Sequence, residues 1–265
     1  SFFKSHKIIP KGFDPQLVFK SSGTTGQIRS NHFIAKPAIY EKSFRLTFES
    51  LMGSIEGSVI LALLPSYVDQ GNSSLIYMVD HLINDSKNEL SGFYLNDKKG
   101  LLDAIQTAKN RKQKVYLFGV SYALLDLAEK TADLSDVTII ETGGMKGRRK
   151  EMVREELHEI LKQGLNVSTI YSEYGMTELL SQGYLYEDGF FRSPPWMKVL
   201  IRDVNDALSF LPDGKTGGVN VIDLANLYSC SFIATDDLGL KSMDFFKILG
   251  RFDLSDIRGC NLLIF

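Results

Sequence analysis

An α/β fold is what the sequence predicts: a mostly parallel sheet with flanking helices, followed by a β-rich part that forms a second sheet or a small barrel. Three observations carry the expectation. The run from Gly57 to Leu64 is almost continuously apolar and is closed by Pro65, the mark of a strand buried on both faces. Between that run and Tyr171, strand-like and helix-like periods alternate with short connections, as in a parallel sheet. After Tyr171 the helical period nearly vanishes and short β-like runs are parted by Gly, Pro and Asp. The shift divides the chain into an α/β part over 1–170 and a β-rich part over 171–265, within one compact domain.

The elements follow in order. Leu17-Val18-Phe19 is an apolar run that leads into a loop of small residues. Residues 35–52 place Ile39, Phe44, Phe48 and Leu51 on a helical period, with Pro37 near the start. The 57–64 strand is expected to be central in the sheet. Helical spacing recurs over 73–83 and 100–109, then a strand is expected over 115–118, a helix over 122–130, a strand over 137–140, a helix over 149–162 and a strand over 167–171. Strand-like segments at 182–187, 197–203, 218–224, 230–235 and 245–249 complete the chain.

Composition narrows the partners. Of the 265 residues 23% are charged and the formal net charge is −2, so no global field recruits nucleic acid or an anionic membrane. Two cysteines, Cys230 and Cys260, form no C-x-x-C pair and are too few for a disulfide framework. No apolar stretch approaches the ~20 residues of a membrane span, and the first residues lack the order of a signal peptide. These features lead to the expectation of a soluble, cytoplasmic protein.

Ser21-Ser22-Gly23-Thr24-Thr25-Gly26 makes a poor helix and a poor strand. Glycine permits positive φ and close backbone approach, and successive N–H groups with Ser and Thr hydroxyls form an anion-binding concavity, so the stretch reads as a phosphate cradle. It lacks the spacing and lysine of a Walker loop. Gly143-Gly144 follows the 137–140 strand, at the carboxyl edge where open α/β sheets bind ligands, although a plain strand-to-helix turn has the same composition. Tyr171-Ser-Glu-Tyr-Gly-Met-Thr-Glu178 offers the aromatic face of Tyr174, the close backbone of Gly175, the hydroxyl of Thr177 and, in Glu178, a hard carboxylate of the kind that holds Mg²⁺ together with phosphates. Asp237, in Thr235-Asp-Asp237, suits the hydroxyls of a ribose. Arg251, in Gly250-Arg-Phe-Asp253, supplies a planar fork for oxygen pairs.

These motifs, in this order, resemble those of the adenylate-forming superfamily, which comprises acyl-CoA synthetases, luciferases and the adenylation domains of peptide synthetases. The resemblance implies the large N-terminal-domain architecture of those enzymes, with ATP and Mg²⁺ as cofactors. It assigns Ser21 to Gly26 to phosphate, Gly143, Gly144, Tyr174 and Gly175 to adenine, Thr177 to the α-phosphate, Asp237 to the ribose, Arg251 to ribose or phosphate, and Glu178 to the metal. Two departures stand out: Asp236 replaces the glycine of the superfamily's T-G-D, and Gln27-Ile28-Arg29 replaces the P-K that often follows the phosphate loop.

The short run from Leu254 to Phe265 implies that the small C-terminal domain is absent. Ile257-Arg-Gly-Cys-Asn261 is similar to a phrase of phenylacetate-CoA ligases, but the early end and Cys260 resemble the acyl-protein synthetases of bacterial luminescence, the LuxE-like family. In that family a cysteine near the carboxyl terminus takes the acyl group, which makes Cys260 the catalytic nucleophile beside Arg251. The implied function is activation of a carboxylic acid, expected to be a fatty acid, as acyl-adenylate, with transfer to a protein cysteine. An acceptor protein, a reductase or carrier, is the implied partner. A CoA ligase without its small domain and a non-catalytic binding module remain as alternatives. Ser66, Tyr67, residues 71–74 and Met78 are candidates for an acyl pocket. His158 reads as part of a solvated helix face, His6 as a terminal residue, His81 as partly buried and Cys230 as a small core hydrophobe.

Overall fold

The computed structural model describes residues 2–21, 28–65, 72–130, 133–143, 149 and 152–251. Ser22, Gly23, Thr24, Thr25, Gly26, Gly144 and Cys260, together with Ser66, Tyr67, Gly71 and Arg258, lie outside the described residues. Strand β1 (Leu17–Lys20) pairs antiparallel with β2 (Asn31–Ile34), from Leu17 opposite Ile34 to Lys20 opposite Asn31. The segment expected to cradle phosphate lies in sequence between these two strands. Ser21 closes its base: its N–H donates to the Ser30 carbonyl at 3.1 Å and its Oγ accepts from the Ser30 N–H at 2.9 Å.

Helix α1 (Pro37–Leu51) starts on Pro37, whose fixed φ suits a first turn, and buries Tyr40, Phe44 and Phe48, one residue per turn along one stripe. Strand β3 (Val59–Leu63) is buried at every position. Helix α2 (Ser74–Ser86) is capped by Ser73, whose side chain accepts from the Ile76 N–H at 3.4 Å, and ends on Lys87 in the left-handed region. After β4 (Gly92–Phe93), helix α3 (Lys98–Asn110) is capped by Asp97, which accepts from the Gly100 N–H at 2.8 Å. Strand β5 (Val115–Gly119) is again fully buried. Helix α4 (Ser121–Ala128), β6 (Val137–Glu141), α5 (Arg154–Leu165) and β7 (Ile170–Tyr174) complete the alternating part.

Strands β8 (Gly183–Leu185), β9 (Phe191–Arg192), β10 (Met197–Arg202), β11 (Gly217–Asp223), β12 (Phe232–Ser242) and β13 (Phe245–Arg251) then join the same sheet. Its eleven strands run in the order β10-β11-β12-β13-β9-β8-β7-β6-β5-β3-β4. Strand β7 is the pivot, parallel to β6 on one side and antiparallel to β8 on the other. One apolar cluster fills the parallel half with its helices, and a second gathers Tyr174, Leu185, Phe191, Val199, Val221 and Phe246 in the antiparallel half. No helix among the described residues is long and apolar enough to cross a membrane.

Several local expectations shift. Strand β3 is second from the sheet edge, not central, with only the two-residue β4 outside it; its burial comes from helices on its faces and not from its rank in the sheet. Helix α5 begins at Arg154, later than the charged run from Arg149 suggests. Strand β7 begins at Ile170, so the first four residues of the tyrosine motif are strand and not loop. Thr235-Asp-Asp237 lies inside the eleven-residue β12, so no turn forms where the superfamily has its glycine. Met78 is fully buried in the core, which removes it from a pocket wall.

Candidate active site

Strands β6 and β7 end side by side, with Glu141 in register with Ser172, and the motif residues leave their carboxyl ends. Glu141 is buried and organises the first turn. Its Oε1 accepts from the Ser121 Oγ at 2.5 Å and from the Gly143 N–H at 2.6 Å, and its Oε2 from the Ser172 Oγ at 3.1 Å. Gly143 holds φ +74° with open space where a Cβ would stand, a conformation that favours glycine. Since Ser172 gives its one proton to Glu141, His158 Nε2 donates to the Ser172 Oγ, at 3.1 Å. His158 is therefore no solvated residue: it is buried, and burial together with the cations Arg154 and Lys162 lowers its pKa to about 4.

Across the sheet, Tyr174 reaches β12. Its hydroxyl donates to Asp237 Oδ2 at 2.8 Å, Asp237 Oδ1 accepts from Arg251 Nε at 3.2 Å, and the Asp237 N–H donates to the Thr235 Oγ1 at 3.0 Å. Tyr174, Asp237 and Arg251, chosen from three separate motifs, thus form one hydrogen-bonded chain. Asp237 is buried while the Arg251 side chain is 76% exposed, so the arginine is free to turn toward a ligand. Tyr174 differs from expectation. Its ring is buried edge-on against the stacked pair Phe191 and Phe246, leaving little open face for adenine. Burial and the Asp237 charge hold its phenol well above the usual range, so it stays a donor.

The segment after β7 is clamped from three sides. His32, on β2, makes a 2.8 Å bond from Nδ1 to the Thr177 carbonyl. A carbonyl only accepts, so Nδ1 carries the proton and Nε2 is bare; burial holds the ring neutral, with a pKa lowered to about 4. The strand that leaves the phosphate-loop segment is thereby tied to the threonine motif. Asn226 Nδ2 donates to the Glu178 carbonyl at 2.8 Å, and Asp223 accepts from the Leu180 N–H at 2.8 Å and from the Ser181 Oγ at 2.6 Å. Thr177 and Glu178 are left partly exposed and Gly175 exposed. Among the described residues no three His, Cys, Asp or Glu side chains converge on a metal-binding group. A lone, partly exposed carboxylate at Glu178 fits Mg²⁺, which commonly binds through one or two carboxylates and substrate phosphates.

His32, Glu141, Ser172, Asp223 and Asn226 were not singled out from the sequence. Their roles depend on partners tens of residues away, and only the polar character of Glu141 and Ser172 inside otherwise apolar strands hinted at them. Cys230 precedes β12 in a half-exposed loop, with its Sγ 3.2 Å from the Phe232 carbonyl, and is not a core residue. A groove of about 590 Å³, lined by Arg154, His158, Lys162, Tyr186 and Lys247 among others, lies apart from these motifs.

The fold is that of the N-terminal domain of adenylate-forming enzymes. An ATP-bound RpMatB-BxBclM chimera matches with a TM-score of 0.69 at 17% identity, over 92% of this chain and 49% of its own. ATP-bound MatB from Rhodopseudomonas palustris matches with a TM-score of 0.67 at 17% identity, over 88% of this chain and 47% of its own. A long-chain-fatty-acid-CoA ligase, FadD1 from Archaeoglobus fulgidus, matches with a TM-score of 0.64 at 15% identity, over 90% and 52%. The chain thus spans about half the length of these structures. The family model described as acyl-protein synthetase, LuxE, matches residues 94–264, more than half of the sequence, and the chain belongs to that family. No curated protein matches it.

Proposed function

We propose that the protein activates a carboxylic acid, with a fatty acid as the expected class, and passes the acyl group to a cysteine. The acid's carboxylate attacks the α-phosphorus of ATP, forming the acyl-adenylate as the bond to pyrophosphate breaks. The carboxylate is already ionised at neutral pH, so the step needs no general base; positioning and charge stabilisation supply the catalysis. Ser21 and the loop after it would hold phosphate, Thr177 the α-phosphate, Asp237 the ribose, and Arg251 the ribose or phosphate. Mg²⁺, held by Glu178 and the phosphates, would neutralise phosphate charge. The Cys260 thiolate then attacks the adenylate's carbonyl carbon, giving a thioester and releasing AMP.

The observation that carries this reading is the family match, whose span of 94–264 includes Gly143, Tyr174, Glu178, Asp237, Arg251 and Cys260. The bound ATP of the MatB structure supports the choice of nucleotide. Incubation with MgATP and a labelled fatty acid should yield a hydroxylamine-sensitive acyl-protein that is lost in Cys260→Ser and kept in Cys230→Ser. Equal thioester labelling in Cys260→Ser removes the cysteine from the reaction, and acyl transfer to added coenzyme A would replace the acyl-protein reading with a CoA-ligase one.

A further inference from the structure

The β7–β8 pairing creates a polar face that the steps above do not use. Glu173 stands opposite Tyr184 and Tyr174 opposite Gly183. Directly paired residues of antiparallel strands share a sheet face, as do residues two apart on one strand, so Glu173, Gly175, Gln182 and Tyr184 lie on the same side. Gly175 lacks a side chain there, and the others fill its place: a Cβ at that position would stand 2.3 Å from Glu173 Oε1 and 3.7 Å from Gln182 Cγ. Tyr184 is fully buried and Gln182 nearly so, yet among the described residues the Tyr184 hydroxyl and Gln182 Oε1 have no hydrogen-bond partner. Glu173 also accepts no hydrogen bond among the described residues.

Buried polar groups are almost always partnered, and each exception calls for an occupant. Here the exceptions share one face, next to the exposed Gly175 and two strand positions from the start of the Gly175-Met-Thr-Glu178 segment. Glu173 itself remains partly exposed, so solvent or a ligand reaches the face from the motif side. The carbonyl oxygen of the Glu173 carboxyl and Gln182 Oε1 only accept hydrogen bonds, and the Tyr184 hydroxyl accepts as well as donates. An alkyl chain laid across them would leave all three unsatisfied. A group that donates would pair with them.

We propose that Glu173, Gln182 and Tyr184 form a subsite for a hydrogen-bond donor, a hydroxyl or an amino group, carried by the acid substrate. This rests on the acid-activating reading above and narrows its substrate to acids so substituted.

The test uses acids of equal chain length that are unsubstituted, hydroxylated or aminated near the carboxyl end. ATP–pyrophosphate exchange gives kcat/KM for each, and a thermal shift with acid alone, without nucleotide, gives binding. A hydroxylated or aminated acid should be preferred over its unsubstituted counterpart by about tenfold or more, since sites built for a polar substituent reject analogues that lack it. Which of the two wins identifies the donor. Glu173→Leu, which removes the accepting oxygens, and Tyr184→Phe, both checked for folding by circular dichroism, should bring the ratio toward one. Equal or better use of the unsubstituted acid, or a ratio unchanged in both variants, overturns the subsite while leaving acid activation standing. If no acid supports exchange, the activation reading falls and the thermal shift decides alone: a donor-dependent shift lost in Glu173→Leu upholds the subsite, and its absence overturns it.

Discussion

Replacing Glu173 by Gln should make the protein more stable, and increasingly so as the pH rises. In the folded chain burial, with the Glu141 charge behind it, raises the Glu173 pKa from 4.5 to about 8. The unfolded chain ionises this carboxyl above pH 4.5, whereas the folded chain keeps it protonated up to about 8. Its favourable contribution is therefore fully present below pH 4.5 and is lost as pH climbs through the folded value. At 1.36 kcal/mol per pKa unit the penalty is about 1 kcal/mol at pH 5.5 and about 3 kcal/mol at pH 7. Gln has nearly the same shape and does not ionise. Urea unfolding of both proteins at these two pH values should thus show the variant's relative stability rising by about 2 kcal/mol, with unchanged m-values. Burial, with the Glu173 charge behind it, holds the phenols of Tyr40 and Tyr184 above their usual range, so they do not titrate in this window. A stability difference that stays flat between the two pH values refutes the reasoning, because a carboxyl with an ordinary pKa in both states contributes no slope.

Three further outcomes are expected. His32 and His158, both with pKa lowered to about 4, stabilise the fold above pH 6.5 and lose that contribution as pH falls toward 4, by up to about 3 kcal/mol each; His158→Gln should remove about half of this acid-side slope in urea titrations, and an undiminished slope counts against it. Tyr174→Phe takes a hydroxyl from the buried Asp237 and should cost about 1.5–3 kcal/mol of stability, the range for hydrogen bonds to charged groups, while Asp237→Ala should weaken AMP binding by a similar amount in calorimetry; unchanged AMP affinity would take Asp237 out of the nucleotide site. Glu178→Gln should abolish pyrophosphate release with an unaltered circular dichroism spectrum, through loss of a charged metal ligand, and undiminished release would end the metal assignment.

Local chemistry was enough, from the sequence alone, to establish the alternation of strands and helices and the order of the motifs. An apolar run such as Val59–Leu63 or a proline such as Pro37 acts on its own neighbours and reads the same in any tertiary setting. Tertiary structure decided what each motif residue touches. Tyr174 looked like an open ring, but the sheet carries β12 and β13 past it and turns it into a donor for Asp237. His158 looked like one charge among many on a helix, yet the rotation of α5 places it against Ser172. His32 had no signal at all, because its partner is a backbone carbonyl 145 residues away. Glu173 sat unremarked within a motif until the β7–β8 register put it on one face with Tyr184. Strand period tells which residues alternate, but only pairing decides which face meets water, a helix or another polar group, and pairing is a property of the folded chain.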